Sequence, residues 1–313
     1  MSDKPLNFFQ STTHQEINTM TSNALLGLLT ETSLHAGAGQ SQGVIDLPIQ
    51  REAHTHWPCV YGSAVKGALR ARAEALKLED IDLIFGQADF RAGEASEFAA
   101  ALAVSDARLL LLPVRSLTSH FCWVTCPSAL RRLQRDAVRL GIPALGQFAI
   151  EEPADEETAL VDASRPLTEL YLEEYRFKVE AKPLADLLSA LNQLVPKLLH
   201  TPLQKQLTVV HDNAFRHLAE HATPVTAHVR LDDKKTVVKG ALWYEESLPA
   251  DTVLYVALST TDSRKPDSTL QAATIIERLR DTLFQPHPYL QLGGNETVGM
   301  GWCQVTFNPT PGA

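Results

Sequence analysis

The sequence predicts an α+β or α/β body, a sheet with helices packed on it, and three observations carry that reading. Strand-sized apolar runs are interleaved with segments of helical period along the chain. The length, 313 residues with 44% apolar, is enough to bury a core. No internal repeat or low-complexity tract interrupts the pattern. The most apolar stretch, residues 109–114, is strand-sized and far short of the ~20 residues a membrane helix needs.

Residues 24–30 are short and largely apolar, so they form a first core strand that ends at a Gly-rich loop, HAGAGQSQG, at 35–43. Next, Val44-Ile45-Asp46-Leu47-Pro48-Ile49 sets an acid inside an apolar run closed by a proline, which has no N–H to give a central ladder. Ser63 caps a helix running to about Leu78, with Val65, Ala68, Leu69, Ala73 and Leu76 on its packing side and Lys66 and Arg70 together on another. Residues 106–113 and 121–125 read as strands, and Ser128 as the cap of a helix that carries Arg131, Arg132, Arg135 and Arg139.

Pro183 opens a further helix whose Leu184, Leu187, Leu188, Leu191 and Leu194 recur with helical period. Residues 226–231 alternate, Asp232 to Lys235 form a polar tip, and 236–244 return, which together describe a protruding hairpin. A strand at 253–259 and a helix at 274–284 with Ile275, Leu279 and Leu283 on one face follow. The chain closes through a second Gly-rich loop into a strand at 301–307.

Net charge is −9, which argues against a nonspecific nucleic-acid binder coated in positive charge but leaves room for a local basic groove. Nine of the 37 acids fall within residues 151–174, together with one arginine, so nearly all the acidity is local. That segment reads as a solvated loop, or as a patch that faces a partner or shuns a basic surface. Cysteines 59, 122, 126 and 303 have no framework spacing and read as buried thiols. The first 22 residues lack the basic start and apolar run of a secretory signal, so the expected compartment is the cytoplasm, with no membrane partner.

Two Gly-rich segments, 35–39 and 293–301, lack the spacing of a P-loop or a dinucleotide fingerprint, so a nucleotide cofactor is not expected. Glycines let backbone N–H groups approach an anion, and tight turns are the alternative use. His35, Asp46, Arg51, Glu52, His54 and His56 crowd into 22 residues, a density that suits either metal-assisted phosphodiester cleavage or gripping of RNA. Asp46 is equally readable as a turn or capping acid. Lys66 and Arg70, near a helix start, present two cations to phosphates or to plain solvent.

The segment HAGAGQSQGVIDLPIQREAHTHWPCVYGSAVKGALR at 35–70 closely resembles the signature region of the Cmr4 family, the Cas7-group RAMP subunits of type III-B CRISPR effector complexes. LGGNETVGMGWCQV at 292–305, VVKGALWYEESLP at 237–249 and HDNAFRH at 211–217 extend the resemblance over most of the chain. It implies a modified RRM-like (ferredoxin-like) core with helical insertions and a β-hairpin thumb. The domain would cover 23–313 after a polar extension at 1–22, with the thumb region at about 205–244.

It also implies several copies stacked on the crRNA beside other Cmr subunits. Each thumb would kink the guide–target duplex, and target RNA would be cut at six-nucleotide intervals. The family's cleavage aspartate falls on Asp46, which would ligate a divalent cation such as Mg2+ or Mn2+. Its loop histidine falls on His35, and its glutamate on Glu245 or Glu246. RNA contacts carry over to Lys66 and Arg70, to Arg51, and to Gly293, Gly294, Gly299 and Gly301 of the C-terminal loop. A purely architectural subunit of a related complex is the second reading, and a free enzyme for a small phosphate ester the third.

Overall fold

A computed structural model describes residues 21–41, 43–87 and 97–311. The polar N-terminal extension lies outside these residues except for Thr21 and Ser22, which already belong to the first strand. In chain order the strands are β1 (Thr21–Thr30), β2 (Cys59–Val60), β3 (Leu102–Val104), β4 (Ala107–Arg115), β5 (Phe121–Thr125), β6 (Thr158–Asp162), β7 (Glu169–Leu172), β8 (Tyr175–Lys182), β9 (Leu207–Val210), β10 (Val225–Leu231), β11 (Val237–Glu246), β12 (Val253–Thr261), β13 (Tyr289–Gln291) and β14 (Trp302–Pro309). The α-helices are α1 (Gly62–Ala75), α2 (Ile81–Phe85), α3 (Pro127–Arg139), α4 (Ala185–Leu191), α5 (His200–Gln206), α6 (Asp212–His221) and α7 (Ala272–Arg278), the last continuing as a π-turn through Leu279–Phe284.

β1 lies between β14 and β12, and β12 pairs with β4, all antiparallel. With α1 between β1 and β4, and α7 between β12 and β14, this is the βαββαβ connection and strand order of a ferredoxin-like core. The sheet then runs on through β5, β9, β6, β8 and β7, with parallel pairing at β5–β9 and β6–β8. Residues of β1 alternate between two cores. Ala24, Leu26 and Leu28 face α1 and α7, while Leu25 and Leu29 join Leu130, Leu133, Leu187 and Leu191 of α3 and α4. A strand buried on both faces reads as a continuous apolar run, which is what residues 24–29 show.

Several expected boundaries move. Tyr61 is the N-cap of α1, so Ser63 sits inside the helix, which ends at Ala75 rather than Leu78. Ser128 lies within α3, which Pro127 opens. The cap of α3 comes instead from Asp212 of α6, whose Oδ1 accepts the Ser128 N–H at 2.9 Å while Oδ2 accepts the Ser128 hydroxyl at 2.5 Å. Burial alone would raise the Asp212 carboxyl, but these hydrogen bonds and Arg131 hold it below the ordinary aspartate value. In α4 the helix starts after Leu184, so Pro183 precedes it.

The acidic segment 151–174 is not a loop throughout. It contributes β6, buried along its whole length, and β7, because the acids flank the apolar Ala159-Leu160-Val161. Within the region about 205–244, β9 and α6 belong to the body, and the two-stranded hairpin is β10–β11, extending to Glu246. Val225, Val229, Leu231, Val237 and Leu242 of this hairpin remain exposed. All four cysteines are buried free thiols, and burial pushes Cys59 and Cys303 up to about 12.

Candidate functional site

The loop after β1 folds against the base of the hairpin. Leu34 and Leu248 exchange both backbone hydrogen bonds, at 2.9 and 2.8 Å. Leu47 donates to the Tyr244 carbonyl at 3.0 Å and accepts from Glu246 N–H at 3.0 Å, so residues 46–47 run parallel to the end of β11. Asp46 completes this short ladder with its side chain: Oδ2 accepts the Tyr244 N–H at 2.7 Å. Its other oxygen takes no hydrogen bond among the described residues, and the side chain is only partly buried. Pro48, unable to donate, accepts the Ala38 N–H at 2.9 Å and so ties the strand to the Gly-rich loop.

The two glutamates at the end of β11 have separate surroundings. Glu246 is a brace. Oε1 accepts Arg51 Nη2 at 2.6 Å and Thr223 Oγ1 at 2.7 Å, and Oε2 accepts the Ile49 N–H at 3.0 Å. Arg51 in turn gives Nη1 to the carbonyls of His56 and Ala219, so its guanidinium is spent on the fold. Glu245 instead faces His35 and the C-terminal loop: Oε1 accepts Asn295 Nδ2 at 2.5 Å and lies 3.9 Å from His35 Nδ1.

His35 Nδ1 is 2.7 Å from the Glu246 carbonyl oxygen. A carbonyl only accepts, so Nδ1 carries a proton, which leaves Nε2 as the ring nitrogen free to accept in the neutral tautomer. Gly37 stands at this nitrogen, where an added Cβ would come within 3.0 Å of Nε2.

The C-terminal glycines are needed for close approach. Gly293 has φ +77°, and a Cβ there would fall 2.3 Å from the His35 carbonyl oxygen, while the Gly294 N–H donates to that same oxygen at 2.9 Å. Gly301, at φ +83°, leaves no space either, since a Cβ would sit 1.9 Å from the Leu292 oxygen. The N–H groups of Gly299 and Gly301 are also used internally, on Glu296 and Ser33. The loop therefore locks onto the residues that hold His35.

Lys66 and Arg70 stand apart from this cluster, with no hydrogen bond or ion pair to it among the described residues. Lys66 Nζ donates to the Leu102 carbonyl at 3.0 Å, and burial, then the neighbouring Arg70, lowers its affinity for a proton. Arg70 bridges Glu74, Asp82 and the Gly86 carbonyl, joining α1 to α2.

His35, Asp46 and Glu245 are thus gathered from segments some 200 residues apart, with Asn295 and the Tyr244 backbone as partners that local spacing does not announce. Among the described residues no three His, Cys, Asp or Glu side chains form a ready metal cage. A single hard carboxylate with one uncommitted oxygen suits Mg2+ or Mn2+, which bind through one or two carboxylates and complete their shell with water and substrate phosphate.

The sheet order and the two glycine loops seated against the first strand's exit define the class. Residues 28–304 match the RAMP superfamily, to which the chain belongs. Within it, the chain belongs to the Cmr4 family, being 34% identical over 293 residues to the CRISPR system Cmr endoribonuclease Cmr4 of Pyrococcus furiosus, with 90% of this chain and 95% of that protein covered.

The crystal structure of oligomeric Cmr4 from Pyrococcus furiosus superposes with a TM-score of 0.69 at 28% identity, covering 92% of this chain and 98% of the other. A chain in the cryo-EM structure of the type III-B Cmr-beta complex bound to cognate target RNA shares the fold, with a TM-score of 0.66 at 22% identity over 92% and 97% of the two chains. No helix among the described residues is long and apolar enough to cross a membrane.

Proposed function

We propose that this chain is a backbone subunit of a type III-B effector complex, stacked in several copies on a crRNA beside other Cmr subunits, and that it cuts bound target RNA at six-nucleotide intervals. The observation that carries the reading is that Asp46, bonded to the Tyr244 N–H, and the His35–Glu245 pair are held at adjoining positions at the root of an exposed hairpin. The relatives' names, an oligomeric Cmr4, an endoribonuclease and a target-bound complex, support it.

Cleavage of RNA needs a 2′-hydroxyl to lose its proton and its oxygen to attack the adjoining phosphorus in line. The bond to the 5′-oxygen breaks, and that oxygen takes up a proton. Asp46, pinned by Tyr244 N–H on one oxygen, offers the other to the 2′-hydroxyl or to a cation. His35, with its proton fixed on Nδ1, presents Nε2 as an acceptor that orients the ribose. Glu245 and Asn295 keep the imidazole in place. A divalent ion held by Asp46 together with RNA phosphate oxygens would supply charge relief at the scissile phosphate.

In this reading Lys66, Arg70 and the glycine loop lie along the guide, with Arg51 placed to support the site through Glu246. Target cutting and target affinity, measured on the same assembly carrying Asp46→Ala, test the proposal. Lost cutting with retained affinity is expected, and near wild-type cutting would overturn it. Retained RNA binding without cutting in the wild-type assembly would favour the architectural reading.

A further inference from the structure

Between the Gly-rich loop that carries His35 and the start of α1 runs a short extended segment, residues 49–51. Ile49 bridges to Gly37 on one side, and Arg51 to Pro58 on the other. Gln50 lies between them. Its N–H donates to the Ala36 carbonyl at 2.8 Å, and its carbonyl accepts the Cys59 N–H at 3.0 Å. The side chain repeats this pattern: Nε2 donates to the Gly37 carbonyl at 3.0 Å, and Oε1 accepts the Tyr61 N–H at 2.7 Å.

Main-chain and side-chain amides of one residue therefore bridge the same two segments with the same polarity. A carbonyl only accepts and a peptide N–H only donates, so the side-chain amide has one orientation that satisfies both partners. The gap it spans separates two parts with different tasks. Gly37 lies against the imidazole: a Cβ there would come within 3.0 Å of His35 Nε2. Tyr61 is the N-cap of α1, the helix that carries Lys66 and Arg70. The next residue is anchored from the far side, the Gly62 N–H donating to Asp106 Oδ1 at 2.7 Å. With α1 fixed to the body, the Gln50 side chain sets how far the His35 loop stands from it.

We propose that Gln50 is a positioning residue for target cutting, its side-chain amide holding the His35 loop in register with the start of α1. The proposal rests on the RNA-cutting reading above, in which α1 lies along the guide and His35 orients the target ribose. Misplacing reacting groups by about 1 Å can cost about 10²-fold in rate, so two hydrogen bonds remote from the reacting atoms have leverage.

The test is Gln50→Glu in the reconstituted complex, assayed for single-turnover cutting and target affinity from about pH 8 to about pH 5. The ionised carboxylate keeps the acceptor for Tyr61 but sets an oxygen against the Gly37 carbonyl. Its protonated form donates to that carbonyl and restores both bonds. Cutting relative to wild type is expected to be lower by about 10- to 10²-fold at the alkaline end, with affinity retained, and to climb toward wild type as the pH falls. Taking the ratio at each pH removes the titration of every group the two proteins share.

Gln50→Met keeps the length without either bond and is expected to stay slow throughout. Gln193→Glu makes the same change in an amide that donates to the Ala144 carbonyl beyond the end of α4, and is expected to cut like wild type at every pH. Wild-type rates in Gln50→Glu across the whole range would overturn the proposal. So would a deficit that does not change with pH, or affinity falling along with cutting, since the amide would then brace the fold alone. Failure of both Gln50 variants to assemble would overturn it in the same way. A wild-type complex that binds target without cutting would take down the parent reading, and this proposal with it.

Discussion

Asp46 accepts the backbone N–H of Tyr244 at 2.7 Å across 198 residues of sequence. One carboxylate therefore ties the loop after β1 to the root of the β10–β11 hairpin, and whatever moves the hairpin moves the acid. A carboxylate with this position but only a bracing role would, when removed, loosen the hairpin. One that acts on RNA would, when removed, stop cutting.

Asp46→Ala is expected to lower target cutting by about 10²-fold or more, the scale of a lost acid–base or charge-relief group, while affinity for target stays near wild type. Single-turnover cleavage and equilibrium binding on one preparation decide it. Collapse of both would favour bracing. A chelator should stop wild-type cutting without releasing the duplex.

Neighbouring glutamates should separate cleanly. Glu246→Ala strands the Arg51 guanidinium and two further donors, the Thr223 hydroxyl and the Ile49 N–H, so a loss of about 3 kcal/mol of stability is expected. Glu245→Gln keeps the shape near Asn295 and should change the cleavage rate while leaving denaturant unfolding nearly alone. Equal stability loss in both would show that they share one structural role.

Two glycines with nearly the same φ make a controlled comparison. Gly293→Ala drives a Cβ to within 2.3 Å of the His35 carbonyl oxygen, whereas Gly299→Ala meets nothing within 4 Å. The second should cost only the left-handed backbone penalty of about 1–2 kcal/mol, and the first distinctly more, together with cutting. Thermal melting of the two variants orders them.

Acid should loosen the α3–α6 junction through Asp212. Its folded carboxyl is held below the ordinary value, so its stabilisation is fully present above the unfolded pKa of about 3.9 and lost as pH falls through the lower folded one. Asp212→Asn should be less stable at neutral pH, with the difference from wild type shrinking below about pH 4. A gap independent of pH would refute the assignment.

Shortening the β10–β11 hairpin should remove disturbed nucleotides spaced at six-nucleotide intervals along the bound guide, as read by chemical probing. A uniformly protected guide in the intact complex would deny the hairpin that role.

The strand β5 was legible as a short apolar run, buried on both faces, and the helix α4 because one buried face imposes its period on Leu184, Leu187, Leu188 and Leu191. The acidic segment misled because charge averaged over 24 residues hides the apolar Ala159-Leu160-Val161 of β6 and Leu170 and Leu172 of β7, which enter the sheet. Ser63 and Ser128 look like caps by type, yet a helix end accepts a carboxylate from anywhere in the fold, and α3 takes Asp212. At the candidate site, Asp46 stood out as an acid in an apolar run. The partnership of Glu245 with Asn295, and of Glu246 with Arg51, arises from loops meeting across the sheet. No local pattern encodes that.

The place of β1 bears on how the chain is made. Its two neighbours, β12 and β14, are synthesised more than 200 residues after it. While the ribosome is still working, the run at 24–29 has neither ladder satisfied and an apolar surface on both sides, so it must be shielded or kept loosely collapsed until β14 emerges. Translation that halts before Trp302 would leave β1 an open edge, ready to pair with another nascent chain. The yield of soluble protein should therefore depend on chaperone supply and on the pace of the last few dozen codons more than on the stability of the finished sheet.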